Sequence, residues 1–408
     1  MEAIVSPYGA ARRYLDCVPG RACLCWGVVT NGPNSPNAPR GDSVPLTHLR
    51  LHRDSNVAPT AHVPPRPTQL VDGQRRKVSY LRLSVTDRCS FRCVYCMPAQ
   101  GVQFAPRPHL LTFEEIERIV SCFVQLGISK VRLTGGEPLL RRDIVDLVRR
   151  ISEVDGVEDL AMTTNGAALD KFAVPLRQAG LKRLNVSIDS LRPDRFAEVT
   201  RTGDLERVLR GLDAAAEAGF TNTKLNAVMV RGFNEDELGD LVRFAADRDL
   251  LLRFIEYMPI GSDAFWSDAT FLPTAEMLAM LAEEFIVDEP QGFARDLGLA
   301  GGGPATYRDI RPLNAPDAKP VKVGFISALS HNFCSTCNRV RLTSTGTLQE
   351  CLAYMGSLSL RDALRAGASD ADIVRIIEDA LWTKGPGHRY DDPEGPVRTP
   401  VSMSAIGG

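Results

Sequence analysis

Six short β-rich runs alternate with helical segments between Tyr80 and Tyr257, and this repetition limits the fold more than any other feature of the chain. The runs are Tyr80–Thr86, Lys130–Gly135, Leu160–Thr164, Arg183–Asp189, Lys224–Val230 and Leu251–Tyr257. The intervening segments carry apolar residues at helical spacing. In the first, Thr112-Phe-Glu-Glu115 has the form of a capping box, and Ile116, Ile119, Val120 and Phe123 share one face. Helices are also expected over Asp143–Glu153, Ala168–Ala179, Leu205–Ala218 and Glu235–Arg248, with Gly127, Gly180 and Gly219 as C-terminal stops. Repeated β/α units imply a parallel sheet with right-handed crossovers. Six such units fit either a doubly wound sheet or most of a (β/α)8 barrel. Both place chemistry at the C-terminal ends of the strands. Those ends are polar here: Cys89–Cys96, Gly135-Gly136-Glu137-Pro138, Thr163-Thr164-Asn165-Gly166, Ser187 with Asp189, and Glu256 with Met258.

The flanks read differently. Residues 1–76 are rich in Pro, Asn, Ser and Gly without periodicity, and are expected to form a disordered extension. A targeting leader and an over-extended start are both compatible with it. Residues 77–260 form the β/α core. Residues 261–408 lose the alternation and form a second region across the open side of the sheet. It holds an expected helix at Pro273–Phe285, a Gly301–Gly303 turn, a strand at Lys322–Ile326, helix within Leu358–Asp379 and an irregular tail. The chain is 44% hydrophobic with net charge −2, which argues against a general nucleic-acid or anionic-membrane binder, since that needs a basic excess, and leaves room for local basic pockets. No apolar run is long enough for a bilayer span, and the setting expected is cytoplasmic.

Ten cysteines in 408 residues are too few for a disulfide scaffold, and they are grouped. Cys89-x3-Cys93-x2-Cys96 offers three thiols on one loop with no fourth ligand nearby. A four-iron cube held by three thiols keeps one iron open for chemistry. This spacing, with Tyr95 before the last cysteine, is the signature of the radical S-adenosylmethionine (SAM) superfamily. Gly135-Gly136-Glu137-Pro138 resembles the superfamily's site for the SAM amine. The second group is Cys334-x2-Cys337-x13-Cys351. It reads as a second cube with an open iron or as a zinc knuckle completed by His331. The adjacent Arg339 and Arg341 favour the cube, because a polyphosphate ligand uses guanidinium groups and a zinc knuckle does not. Arg82, Arg132 and Lys224 lie in otherwise apolar strands, where an unpaired charge is costly, and so point to an anionic ligand. There is no G-x4-G-K-[ST] phosphate loop. Cys122 is expected in the core, and His388 has no assigned role.

The segments LRLSVTDRCSFRCVYCMP, VRLTGGEPLLRRD, MTTNG, LNVSIDSL, RFIEYMP and FCSTCNRVRLTSTGTLQECL, with the terminal Met403-Ser-Ala-Ile-Gly-Gly408, resemble the GTP 3′,8-cyclase family of molybdenum-cofactor biosynthesis from about residue 80 onward. The resemblance implies an incomplete (β/α)6 TIM-like barrel whose C-terminal region closes the open side. It implies two 4Fe–4S clusters, on Cys89, Cys93 and Cys96 and on Cys334, Cys337 and Cys351. It puts SAM at Tyr95, Gly136, Ser187 and Met258, and GTP at Arg82, Arg132, Thr163, Lys224, Arg339, Val340 and Arg341. Taken alone, Thr163 also reads as a turn cap and Met258 as a packing residue. The implied reaction uses a 5′-deoxyadenosyl radical to take the ribose 3′ hydrogen, and closes the 3′ carbon onto C8 of guanine. The implied partners are a second copy of the chain, an external electron donor, and the cyclic pyranopterin monophosphate synthase that takes the product. Gly407 and Gly408 are expected to enter the active site as catalytic tail residues, since glycine lets a backbone approach a ligand closely. A peptide-modifying radical SAM enzyme is the alternative, but such enzymes carry more auxiliary cysteines. A non-enzymatic metal sensor would need neither the glycine-acid loop nor the cations.

Overall fold

A computed structural model describes residues 69–260, 266–293, 296–299, 303–354, 356, 358–390 and 403–407. The six expected strands are β1 (Tyr80–Ser84), β2 (Lys130–Thr134), β3 (Asp159–Thr164), β4 (Arg183–Ser187), β5 (Lys224–Met229) and β6 (Leu251–Glu256). Between them run α1 (Phe113–Gln125), α2 (Ile144–Ser152), α3 (Leu169–Gln178), α4 (Pro193–Thr200), α5 (Leu205–Glu217) and α6 (Leu238–Asp247). The box that opens α1 forms in both directions. The Glu115 N–H donates to Thr112 Oγ1 at 3.2 Å, and the Thr112 N–H donates to Glu115 Oε2 at 2.8 Å. After α1, Gly127 adopts φ +88°, a backbone conformation in which a side chain would be strained. Helix α4 was not expected from periodicity. Its eight residues are too few to show an apolar stripe, and Pro193 opens it at the first turn.

The six strands pair in parallel and in sequence order. The C-terminal region adds α7 (Thr274–Leu281), β7 (Phe285–Val287), β8 (Gly292–Phe293), β9 (Thr306–Pro312), β10 (Val321–Ile326), β11 (Arg339–Leu342), β12 (Thr347–Gln349), β13 (Leu358–Ser359), α8 (Leu360–Arg365), α9 (Asp370–Trp382) and α10 (Met403–Ile406). Of these, β10 joins the outer edge of β6 and β11 joins the outer edge of β1, both in parallel. The sheet therefore runs β13-β12-β11-β1-β2-β3-β4-β5-β6-β10-β9-β7, and it stays open, since its two ends do not pair among the described residues. The C-terminal region thus extends the parallel arc at both edges.

Strand period decides the two faces. Leu81 and Leu83, Val131 and Leu133, Leu184 and Val186, Leu225 and Ala227, and Leu252 and Phe254 are buried in one hydrophobic cluster with Ile116, Ile119 and Phe123 of α1. The alternate residues of the same strands, Arg82, Arg132, Asn185, Lys224 and Arg253, line a cavity. Burying both faces in apolar contact is usual for a parallel sheet. Here one face is apolar and the other is cationic, so the concave side is built for a ligand.

One expectation about the flanks is corrected. Residues 69–76, placed in the disordered extension, are folded: Val71 pairs with Lys77 and the Asp72 side chain is fully buried. The rest of the extension, with Cys17, Cys23 and Cys25, lies outside the described residues, as do Gly301, Gly302, Gly408 and residues 391–402. No helix among the described residues is long and apolar enough to cross a membrane.

Candidate active site

The cysteine loop after β1 is held by the end of β2. The Gly136 N–H donates to the Thr86 carbonyl at 2.8 Å, and the Glu137 N–H donates to the Arg88 carbonyl at 2.7 Å. These contacts leave no room for side chains. A Cβ on Gly135 would lie 2.2 Å from the Thr86 oxygen, and one on Gly136 would lie 2.3 Å from the Arg88 oxygen. Gly135 also sits at φ +143°. The Glu137 carboxylate turns the other way. It accepts from Thr164 Oγ1 at 2.8 Å and from the Asn165 N–H at 2.7 Å, tying the end of β2 to the end of β3. Burial pushes its pKa up to about 7, and the N–H groups of Asn165 and Leu139 work against that rise. Gly135→Ala is expected to destabilise the chain by at least about 2 kcal/mol, from strain plus collision. Chemical denaturation of the variant beside the parent measures it.

Cys89, Cys93 and Cys96 face a cavity of about 300 Å³, and so do Cys334, Cys337 and Cys351 from the opposite side. That volume suits a small-molecule site. Burial pushes Cys89 to about 11 and Cys96 to about 12; nearby Glu137 adds to the first shift and Cys89 to the second. Cys93 is raised well above the usual thiol range by burial, with Cys96 next in effect. Three crowded thiols that hold their protons this firmly become thiolates when a positive centre is bound, as a cluster ligand set requires. In the second set, burial raises Cys337, but the charges of Arg339 and Lys384 outweigh it and bring the thiol down to about 6. Among the described residues no three His, Cys, Asp or Glu side chains converge on one ion-sized point. A cube spreads its thiolates over separate irons, so it fits thiols that face one cavity without converging. His331, the proposed fourth zinc ligand, is exposed and does not line the cavity.

Between the two cysteine sets lies a field of cations. Register puts Arg341, Arg82 and Arg132 side by side on β11, β1 and β2. Across the arc, Asn185 on β4 neighbours Lys224 on β5, and Asn226 on β5 neighbours Arg253 on β6. Burial, followed by Arg253, Arg183 and Arg132, lowers Lys224 to about 6. Burial and then Arg339 lower Arg341 to about 10, and burial lowers Arg253 to about 10. Arg132 is 4% exposed, stacks on the Tyr80 ring, and has no hydrogen-bond partner at Nε among the described residues. Against Arg82, Arg132, Lys224, Arg253, Arg339 and Arg341, the cavity wall carries two carboxylates among the described residues, Asp189 and Glu350. Such a surface is paid for by an anion of several charges.

Most of the expected site residues meet here. Tyr95, Gly136, Ser187, Met258, Arg82, Arg132, Thr163, Lys224, Arg339 and Arg341 all line the cavity. The Tyr95 hydroxyl donates to Asp189 Oδ2 at 2.5 Å, and Asp189 Oδ1 accepts from the Val228 N–H at 2.8 Å, so the ring is fixed beside Cys96. Val340 differs: its side chain is fully buried in the apolar cluster, because strand alternation turns it away from its two arginine neighbours. Gly407, at φ +73°, is buried, and a Cβ there would lie 2.4 Å from Thr134 Cγ2. Its carbonyl accepts from Arg341 Nη1 at 2.5 Å and from Arg82 Nη2 at 3.5 Å. Sequence reasoning missed Asn185, Asn226 and Arg253. Each had a signal: Arg253 is a charge in an apolar strand, and the two asparagines stand two residues from Ser187 and Lys224, on the same faces.

Two family models match the chain: the radical SAM superfamily over residues 83–245 and Molybdenum Cofactor Synthesis C over residues 250–390. A GTP 3′,8-cyclase of Pseudomonas putida (strain W619) is 47% identical over 341 residues, covering 83% of this chain and 98% of the relative. The GTP 3′,8-cyclase of Pelotomaculum thermopropionicum is 44% identical over 337 residues, covering 83% and 99%. Among solved structures, Streptococcus suis SuiB bound to S-adenosylmethionine aligns with TM-score 0.51 at 14% identity, covering 81% of this chain and 78% of that one. At that identity the likeness shows the fold alone.

Proposed function

The chain belongs to the GTP 3′,8-cyclase family of radical SAM enzymes in molybdenum cofactor synthesis, and from that membership we propose which of its residues hold each reactant. Cys89, Cys93 and Cys96 hold the 4Fe–4S cluster that the family uses with SAM. Tyr95, Gly136, Ser187 and Met258 hold SAM. Cys334, Cys337 and Cys351 hold a second 4Fe–4S cluster on the substrate side. Arg82, Arg132, Lys224, Arg339 and Arg341 take the triphosphate of GTP, with Thr163 and the Val340 backbone beside them. The observation that carries this reading is the cation field between two three-cysteine sets in one cavity.

Bound at Cys89, Cys93 and Cys96 and at Tyr95, Gly136, Ser187 and Met258, the first cluster and SAM would supply the radical chemistry that removes hydrogen from the substrate. The chain's own groups do the rest. The fork geometry of Arg339 and Arg341 suits phosphate oxygens, and Lys224, held near 6 by burial, takes up a proton beside the triphosphate and then adds a compact charge on the opposite wall. Fixing the triphosphate fixes the ribose, which holds one hydrogen near the radical source and raises effective concentration. Tyr95, oriented by Asp189, packs at the cysteine loop and limits water there. Family membership further supports pairing of two chains, hand-off of the product to the cyclic pyranopterin monophosphate synthase, and an external one-electron donor. A cytoplasmic setting suits the free thiols.

Anaerobic incubation of the full chain with GTP, SAM and dithionite, followed by mass spectrometry, tests the reaction. The expected product is 3′,8-cyclo-7,8-dihydro-GTP together with 5′-deoxyadenosine; deoxyadenosine without the cyclised nucleotide would refute the substrate. Reconstituted protein is expected to hold about eight iron and eight sulfide per chain. Four iron with one zinc would overturn the second cluster.

A further inference from the structure

A buried charge network lies against the second cysteine set, and the reaction as described leaves it unused. Asp72 is fully buried and Lys384 is 4% exposed. Asp72 Oδ2 accepts from Arg76 Nε at 2.7 Å and stands 3.8 Å from Lys384 Nζ. Asp72 Oδ1 accepts from the N–H groups of Gln74 and Arg76, which closes the turn. Lys384 Nζ donates to the Arg339 carbonyl at 2.7 Å and lies 3.8 Å from Cys337 Sγ. The Arg76 guanidinium donates to the carbonyls of Cys334 at 2.8 Å, Gly385 at 2.7 Å and Pro386 at 2.9 Å. The segment before β1 is thus fastened to the Cys334 carbonyl and to the strap that follows α9, whose Lys384 reaches Cys337.

Burying one carboxylate with two cations is not a strong source of stability; an apolar contact of the same volume does as well. The arrangement matters for what it touches. Every donor of Arg76 and Lys384 described above ends on Asp72, on a backbone carbonyl at the cysteine loop or strap, or at the sulfur of Cys337. We propose that Lys384 is a positioning residue for the second cluster, its ammonium held by Asp72 and the Arg339 carbonyl as a fixed counter-charge to the Cys337 thiolate, while Arg76 ties the Cys334 loop to the 385–387 strap. This rests on the two-cluster reading above.

The test uses the reconstituted full-length enzyme and its Lys384→Met, Lys384→Arg and Asp72→Asn variants. Iron and sulfide per chain are counted, and each cluster's electron paramagnetic resonance signal is followed in a potentiometric titration. The first cluster's signal is recognised by its response to added SAM. Removing a positive charge disfavours the added electron, so Lys384→Met is expected to shift the second cluster to a more negative potential, or to lose about four of eight iron, with the SAM-responsive signal intact. Lys384→Arg is expected to restore the parent potential and iron count, and Asp72→Asn, which removes a negative charge from the same network, to shift the second cluster to a more positive potential by a smaller amount. Unchanged iron and potential in Lys384→Met, or equal loss of both clusters, would overturn the proposal. If the parent itself holds only four iron, the two-cluster reading falls and this inference with it. If the parent holds eight and Lys384→Met is unmoved, only this inference falls.

Discussion

Gly407→Ala is expected to lower cyclised-nucleotide formation about 100-fold while both clusters load and SAM is still cleaved reductively. Gly407 is in the left-handed region, and its missing Cβ is the space occupied by Thr134. An alanine there must displace the last turn of the tail, and with it the carbonyl that Arg341 and Arg82 share. Those two guanidinium groups are then free to settle in another arrangement. A substrate held about 1 Å from its productive place loses roughly two orders of magnitude in rate. Product and 5′-deoxyadenosine measured in the same reaction separate the two effects. Deleting Gly407 and Gly408 is expected to act the same way. A truncated enzyme that cyclises GTP at the parent rate would make the tail a frayed end.

Arg132→Met is expected to have effects of opposite sign on binding and on folding. Arg132 is buried beside Arg82, with Arg341 next in the row, and its Nε has no partner among the described residues. Methionine keeps much of the volume and removes one like charge. Relief of that repulsion is on the order of 1 kcal/mol at the effective dielectric of a protein interior. Without GTP the variant should therefore resist denaturant better than the parent. With GTP it lacks a hydrogen bond to a charged group, a loss of about 2–3 kcal/mol, which corresponds to roughly 30- to 150-fold in affinity. Denaturation and GTP titration on the same preparation check both signs. A variant that is less stable and binds GTP as well as the parent would make Arg132 a scaffold residue.

The β/α alternation was legible because strand period and helix period are local properties, and the bounds of β1 to β6 fall within two residues of the expected runs. The cysteine sets and the Gly135–Pro138 turn were legible because their spacing is itself chemical. Short strands such as β12 and β13 were not, since two or three residues carry no period and form only when a neighbour supplies the hydrogen bonds.

What the sequence alone determined is the list of reactive groups and the parallel β/α repeat of the six core strands. Strand register was decided by tertiary structure. It alone sets Arg341 of β11 next to Arg82 of β1, although 258 residues of chain separate them, and so gathers cations that look scattered in sequence. It also turns Val340 into the core and Arg253 into the cavity, because neighbours on a strand face opposite sides and only packing chooses the side. The folding of residues 69–76 was decided in the same way. Their composition reads as disorder, yet Arg76 and Asp72 find partners in the loop at Cys334 and in Lys384, and long-range hydrogen bonds supply the order that local propensity does not.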